Sequence, residues 1–405
     1  MTIRFFKNAN QKFFKRSTIL LTFILAGLSI NGFATQESPQ TDIQFIMTAD
    51  PHYGITRKAF QGASKVDAHL VNAAMISKIN ALPNVKLPAD GGINAGKITG
   101  AIDFVVEGGD IANRQEGTPE KSIQCASISW DQFKADYVDG LQIHDRNGKK
   151  SPLYVLPGNH DITNAIGFYK PMVPTTDAGA MAGIFNMMMK PTIQKTKDTF
   201  KYIEDKVHYS LNMGGIHFMF ISLWPDSMER KWMAEDLKSV EKSTPVIVFT
   251  HDEPEVESKH FKNPNDNHDI NGKDKFENLL ADNFSGGKSV DDPTTIEQKS
   301  LEAFFYSNPN ISAYFHGNDH WKRFRDWTGP DNTIAVHTFG VDSPMKGEVS
   351  KDDETKLSFY LVTIDTKSRL MSVRECLWNV DPAKTDSSVA WGDTITVALF
   401  PRPMK

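Results

Sequence analysis

Cysteine is nearly missing from this 405-residue chain, which carries only Cys125 and Cys376. So small a number excludes a disulfide framework and a thiolate metal site. In an oxidising compartment the two are a candidate pair, and the sequence leaves that open. A membrane-spanning run is missing as well. The apolar stretch 19–28 falls short of the roughly 20 residues that a spanning helix needs. There is no excess of positive charge: 45 Lys+Arg stand against 50 Asp+Glu, a net charge of −5. That speaks against a nucleic-acid-binding stripe or a membrane-binding face. A phosphate-cradling glycine loop is lacking too. The segment 285–289, Ser-Gly-Gly-Lys-Ser, has Asp282 where the first glycine of such a loop is required.

What is present begins with a targeting segment. Arg4, Lys7, Lys12, Lys15 and Arg16 precede the apolar stretch, and Gly32 and Ala34 supply small residues for cleavage. This pattern predicts a signal peptide over 1–34, export to the periplasm or beyond, and no stable membrane anchor after cleavage. Without its five basic residues the chain keeps 40 Lys+Arg against 50 Asp+Glu, a net charge of −10.

Within 35–405, short runs rich in Ile, Val, Phe or Leu recur at 43–48, 102–106, 153–156, 216–223, 246–249 and 311–315. They are too short for typical helices and predict buried strands. Val71, Met75, Ile79 and Leu82 recur at helical spacing between two of them. Asp226 and Glu229 form a capping-box pattern ahead of Met228, Trp232, Met233, Leu237 and Val240, and Pro245 marks the stop. Segments 359–364 and 370–373 flank 365–369 as an antiparallel hairpin at a sheet edge. Alternating strands and helices predict an α/β protein with packed sheets. Two stretches look like insertions: 166–207, with the Met-rich 181–189, and the Asn/Asp/Lys/Gly-rich 253–293. Such excursions serve as lids or substrate loops when they are not surface decoration or, for the Met run, a packed helix.

The residues that follow the strands carry the chemistry. Asp50-Pro51-His52 follows 43–48, Gly108-Gly109-Asp110 follows 102–106, and Gly158-Asn159-His160-Asp161 follows 153–156. His251 follows 246–249, and Gly317-Asn318-Asp319-His320 follows 311–315. Open α/β sheets place ligand sites at that C-terminal strand edge. Mixed oxygen and imidazole donors suit borderline divalent metals such as Mn, Fe or Zn. Two such cations, about 3.5–4 Å apart, can share a hydroxide and neutralise a phosphate ester. Asp110, flanked by glycine, is the candidate bridge.

The series Asp50-x-His52, Gly109-Asp110, Gly158-Asn159-His160-Asp161, His251 and Gly317-x-x-His320 resembles the calcineurin-like metallophosphoesterases. The resemblance spans roughly 43 to 378. It implies a four-layer αββα sandwich of two facing mixed sheets flanked by helices, with a dinuclear metal site at the strand edge. It implies that Asp50, His52, Asp110 and His320 hold one metal, and Asp110, Asn159 and His251 the other. His160 would stabilise or protonate the leaving oxygen, with Asp161 orienting it.

Three positions qualify the match. The family has Gly-His-x-His in its last motif, and here the first His is Asn318, whose amide oxygen ligates more weakly than imidazole. His316, in the preceding strand, is expected to pack there instead of substituting. Asn113 stands where purple acid phosphatases carry a tyrosine, so a tyrosinate-bound ferric site is not expected. Arg114 matches the Asp-Arg spacing of phosphoprotein phosphatases and is a candidate phosphate clamp. The expected function is therefore an exported metal-dependent hydrolase of phosphate esters, with monoesters favoured over diesters. The alternative is an impaired relative that binds a phosphorylated or cell-surface ligand, and Asn318 is its support.

Overall fold

A computed structural model describes residues 42–114, 124–162, 177–202, 204–256 and 295–400. The targeting segment, the stretch 285–289, nearly all of the 253–293 insertion and the start of the 166–207 insertion lie outside the described residues.

In chain order the elements are β1 Ile43–Thr48, β2 Thr56–Phe60, β3 Ala63–Asp67, α1 Ala68–Ala81, β4 Phe104–Glu107, α2 Ala126–Phe133 and β5 Leu153–Val155. Next come α3 Asn159–Ile162, α4 Gly179–Met189, β6 Tyr209–Met213, β7 Ile216–Phe220, α5 Ser227–Asp236 and β8 Val246–Phe249. The last are α6 Thr295–Ser307, β9 Ile311–His316, β10 Arg323–Trp327, β11 Val336–Gly340, β12 Ser358–Asp365, β13 Leu370–Leu377 and β14 Ala390–Ala398. One sheet runs β14-β13-β12-β1-β4-β5 and the other β10-β11-β9-β8-β7-β6. In the first, β1, β4 and β5 are parallel; in the second, β7, β8, β9 and β11 are. Their C-terminal ends are where the site is built.

Side-chain alternation explains why the sheets face one another. Phe45 and Met47 of β1 join Phe104, Phe218, Phe249 and Phe315 in one buried cluster, while Ile46 belongs to another. The Phe45 ring stacks on Phe104 at 4.8 Å and meets the edges of Phe249 at 5.5 Å and Phe315 at 5.7 Å across the gap. Successive residues of a strand point to opposite faces, so a central strand covered on both sides buries every residue. β1 does so throughout. Helices cover the outer faces: Phe305 of α6 packs edge-on against Tyr314 of β9. The result is the expected layering of two mixed sheets between helices.

Several local expectations hold. Val71, Met75, Ile79 and Leu82 are buried, and β12 pairs with β13 across the expected turn. The Met-rich run forms α4, packed against α2 and β5. Others are corrected. The Asp226 carboxylate accepts from the Glu229 N–H at 2.9 Å, but the Glu229 side chain pairs with His208 and does not close the box. Met228 is 52 % exposed because the buried stripe runs through Glu229, Met233 and Leu237. β13 is not an edge, since β14 extends the sheet beyond it. Cys125 and Cys376 are both free thiols; Cys376 is buried in β13, and burial pushes its thiol pKa up. No helix among the described residues is long and apolar enough to cross a membrane.

Candidate active site

The loops beyond β1 and β4 continue the sheet's ladder. Asp50 N–H donates to Gly109 O at 2.9 Å, and His52 N–H to Asp110 O at 3.0 Å. From α1, Asn72 donates to Pro51 O at 2.9 Å. Beyond β9, Gly317 N–H donates to His251 O at 2.9 Å, which ties two more loops together. Gly109, at φ +106°, shows why glycine is needed here. A Cβ on it would lie 2.6 Å from Gly158 N and 2.7 Å from His251 Nδ1. The side chains around it are turned by unusual backbone: Asp50, His52, Asp110, Asn318 and His320 all have φ between 42° and 64°. L-residues avoid that left-handed region at roughly 1–2 kcal/mol each, and strain of this kind collects at functional sites.

Asp110 divides its two oxygens. Oδ2 faces His52 Nε2 at 3.6 Å and Oδ1 faces His251 Nε2 at 3.3 Å. On the first side, Asp50 Oδ1 lies 3.3 Å from His320 Nε2, and the His52 and His320 Nε2 atoms are 3.2 Å apart. One donor atom from each of Asp50, His52, Asp110 and His320 falls within 4.8 Å of the others. On the second side, His251 Nε2 lies 3.0 Å from Asn159 Oδ1.

These donors fit metal ions. His251 Nδ1 donates to Gly108 O at 2.8 Å, which directs Nε2 at two oxygen acceptors. Only a proton or a cation reconciles three such atoms. A ring nitrogen committed to a backbone carbonyl is also how metal-bound histidines are oriented. His52 departs from this habit, since its Nδ1 is buried with no partner among the described residues.

The electrostatics follow from burial and proximity. Burial alone would lower the His251 pKa, but Asp110 and Asp50 hold it well above its ordinary value. Burial would raise Asp110, but His251, His160 and His52 hold it well below the carboxylate range. His160 and His52 are lowered by burial and by the nearby Lys346 ammonium, His160 to about 3.

The remaining predicted residues are placed as follows. His160 N–H donates to Asp110 Oδ1 at 2.7 Å, and its Nε2 lies 3.9 Å from Asp110 Oδ2. Its Nδ1 bonds Asn113 O at 2.7 Å, so a backbone carbonyl orients the ring. Asp161 was expected in that role. It instead accepts the N–H groups of Ile111, Ala112 and Gly158, clamping the Asp110 loop to the Asn159 turn. Burial and the neighbouring Asp110 push its carboxyl up to about 7. Asn318 N–H points to both Asp50 oxygens, and its side-chain NH2 donates to Glu253 at 2.9 Å, which leaves the amide oxygen as its metal-binding end. His316 is buried, with Nδ1 bonded to Gly317 O, apart from the cluster. Arg114 is half-buried.

Sequence reasoning missed the loop after β11. Ser343 Oγ donates to Asp50 O at 2.7 Å and accepts from the N–H groups of Met345 and Lys346. That turn sends Lys346 Nζ to 3.5 Å from His160 Nε2. The same strand-end rule would have found it, had 336–340 been recognised as a strand. Glu253, two residues past His251, was overlooked because it was assigned to an insertion.

The sequence profile of the family described as Calcineurin-like phosphoesterase matches residues 43–322. The chain belongs to that family. This calcineurin-like phosphoesterase is thus a phosphoester hydrolase of a metal-dependent kind, and its Asp/His cluster is suited to divalent cations. Among solved structures it is similar to a dimetal phosphatase from Danio rerio, with 9 % identity and a TM-score of 0.48 over 88 % of this chain and 99 % of that one. It is also similar to PhoD, with 8 % identity and a TM-score of 0.49 over 89 % of this chain and 70 % of that one. A predicted phosphoesterase from Streptococcus pneumoniae aligns with 11 % identity and a TM-score of 0.30 over 88 % of this chain and 97 % of that one. No curated protein matches the sequence.

Proposed function

We propose that this phosphoesterase is an exported phosphomonoesterase that works with two divalent metal ions bridged by Asp110. The observation that carries the pair is the division of the Asp110 carboxylate, one oxygen toward His52 and the other toward His251. Asp50, His52, Asp110 and His320 would hold one ion, and Asp110, Asn159 and His251 the other, with the Asn318 amide oxygen available beside Asp50. Such ions supply charge that activates a water and neutralises phosphoryl oxygens.

The chain's own residues do the rest. Asp161 fixes the two loops that present Asp110 and Asn159. Asn113 O keeps the His160 ring in one orientation, with Nε2 toward the site. In this neutral form His160 accepts a hydrogen bond; a proton for the leaving oxygen has to reach Nε2 after the site is filled. Arg114 offers a planar fork for phosphoryl oxygens, and a monoester presents three terminal ones, which favours monoesters over diesters. The basic and apolar pattern of 1–34 supports export.

The test is metal content and turnover measured together. Purified protein supplied with Mn²⁺, Zn²⁺ or Fe²⁺ should bind two ions and hydrolyse p-nitrophenyl phosphate faster than its bis-ester. Binding of a single ion, or faster turnover of the bis-ester, would reject the corresponding part. Amino-terminal sequencing of the protein from fractionated cells tests export: an intact terminus in the cytosol would exclude it.

A further inference from the structure

Lys346 is the one ammonium that reaches the cluster from the loop after β11. Its backbone N–H is held by Ser343 Oγ at 2.9 Å, and the same hydroxyl donates to Asp50 O, so the lysine is fixed to the metal-ligand loop itself. The side chain is half-buried, and its Nζ stands 3.5 Å from His160 Nε2. Two carboxylates, Asp50 and Asp110, lie on the same cluster, yet Lys346 makes no ion pair with any carboxylate among the described residues. Asp110 and Asp50 favour its charge from a distance, but burial outweighs them and lowers the ammonium pKa to about 8, so without a direct ion pair the charge is only partly compensated. Serving Asp50 and Asp110 would not account for it, since cations between those carboxylates would make a further positive charge surplus. The surplus is useful only when a multiply charged anion enters. Arg114 is also close enough to act electrostatically on the Lys346 ammonium.

We propose that Lys346 binds a terminal oxygen of the substrate's phosphoryl group beside His160, and with Arg114 selects esters that end in a doubly charged phosphate. This rests on the phosphoesterase reading above and adds the group that chooses the substrate's charge. A diester has one negative charge and an alkyl or aryl group where the third oxygen would sit, so it gains less from Lys346. A charge-assisted hydrogen bond of this kind contributes enough to change affinity by roughly tenfold to a hundredfold.

The experiment compares wild type with Lys346→Met, Lys346→Gln and Lys346→Arg in metal-loaded protein. Inorganic phosphate binding is followed by calorimetry, metal content by elemental analysis, and kcat and KM for p-nitrophenyl phosphate and its bis-ester by absorbance. The Met and Gln variants should weaken phosphate binding by roughly tenfold to a hundredfold and cut monoester kcat/KM by a similar factor. The bis-ester should change much less, metal content should not change, and Arg should restore most of the loss. Unchanged phosphate binding in Met and Gln overturns the proposal, as does an equal loss for both esters or a parallel loss of metal. If wild type binds phosphate through Lys346 yet turns over neither ester, the hydrolase reading fails and the anion site stands. If wild type binds no phosphate, the assignment of Lys346 is overturned.

Discussion

From β1 into the loop beyond it, the chain passes through two regimes within ten residues. From Ile43 to Thr48 it is regular, buried and mostly apolar, with Phe45 at the centre of five packed aromatic rings. From Asp50 to His52 it is just as buried, but it carries a carboxylate and an imidazole on left-handed backbone. The first stretch lowers the free energy of folding and the second raises it. The difference teaches that the inter-sheet core holds in place a loop edge that would not choose its own conformation.

The sharpest way to break that comparison is Asp110→Asn. Turnover of p-nitrophenyl phosphate should fall to background, and the thermal midpoint of the metal-free protein should fall as well near neutral pH, because the ionised Asp110 is stabilised by His251, His160 and His52 and its loss leaves the His251 charge without its partner. Residual turnover near wild type would dissolve the bridged site. Phe45→Ala should differ in sparing turnover. Emptying the aromatic cluster should cost about 3–5 kcal/mol in denaturant titrations, with kcat per folded molecule preserved; a collapse of kcat in stable protein would show that core and edge are not separable.

Acidity should sharpen the contrast. His251 has a folded pKa well above its ordinary value, set by Asp110 and Asp50 against the effect of burial. Its contribution is full below about pH 6.5 and is lost as pH rises through the folded value. Burial raises Asp161 to about 7, so its contribution is full below about pH 3.9 and lost as pH rises through about 7. Asp110 is depressed, so its contribution is present above about pH 3.9 and lost as pH falls through its folded value. Metal-free protein should therefore lose stability between pH 5 and 8, whereas metal binding, which requires His251 to give up its proton, should tighten over the same range. Thermal melts with and without metal read both slopes, and parallel slopes would contradict the shared use of His251. The smallest effect is expected from Asn318→His. Replacing an amide by imidazole at the edge of the site should raise second-metal affinity by about tenfold, measured by competition with a chelator. No change would mean that Asn318 serves Glu253 alone.

Much of this was legible because the chemistry follows the strands. A polar residue just past a short apolar run is visible without any structure, and Asp50, His52, Asp110, Asn159, His251 and His320 all obey that rule. Lys346 obeys it too but was hidden, since β11 reads Val-His-Thr-Phe-Gly and lacks an apolar run. β14 escaped for a related reason: it reads Ala-Trp-Gly-Asp-Thr-Ile-Thr-Val-Ala, which has no unbroken apolar run, and none of its residues is fully buried. Asp161 was misassigned because the resemblance, and the habit of carboxylates to align imidazoles, put it against the His160 ring. On the single turn of α3 the two side chains diverge, and the carboxylate turns inward to backbone N–H groups.

The left-handed residues carry a consequence for how this protein can change. At Asp50, His52, Asp110, Asn318 and His320 glycine would sit at ease where each present side chain is strained, by roughly 1–2 kcal/mol. Any process that rewards heat resistance alone, in a laboratory screen or in a lineage freed from its substrate, will find gains by erasing those positions where strain outweighs the contacts made, which spares Asp110, whose charge His251, His160 and His52 stabilise. A glycine at one of them in a related sequence is then a mark of abandoned chemistry, and the robust relative is the one to suspect of having lost it.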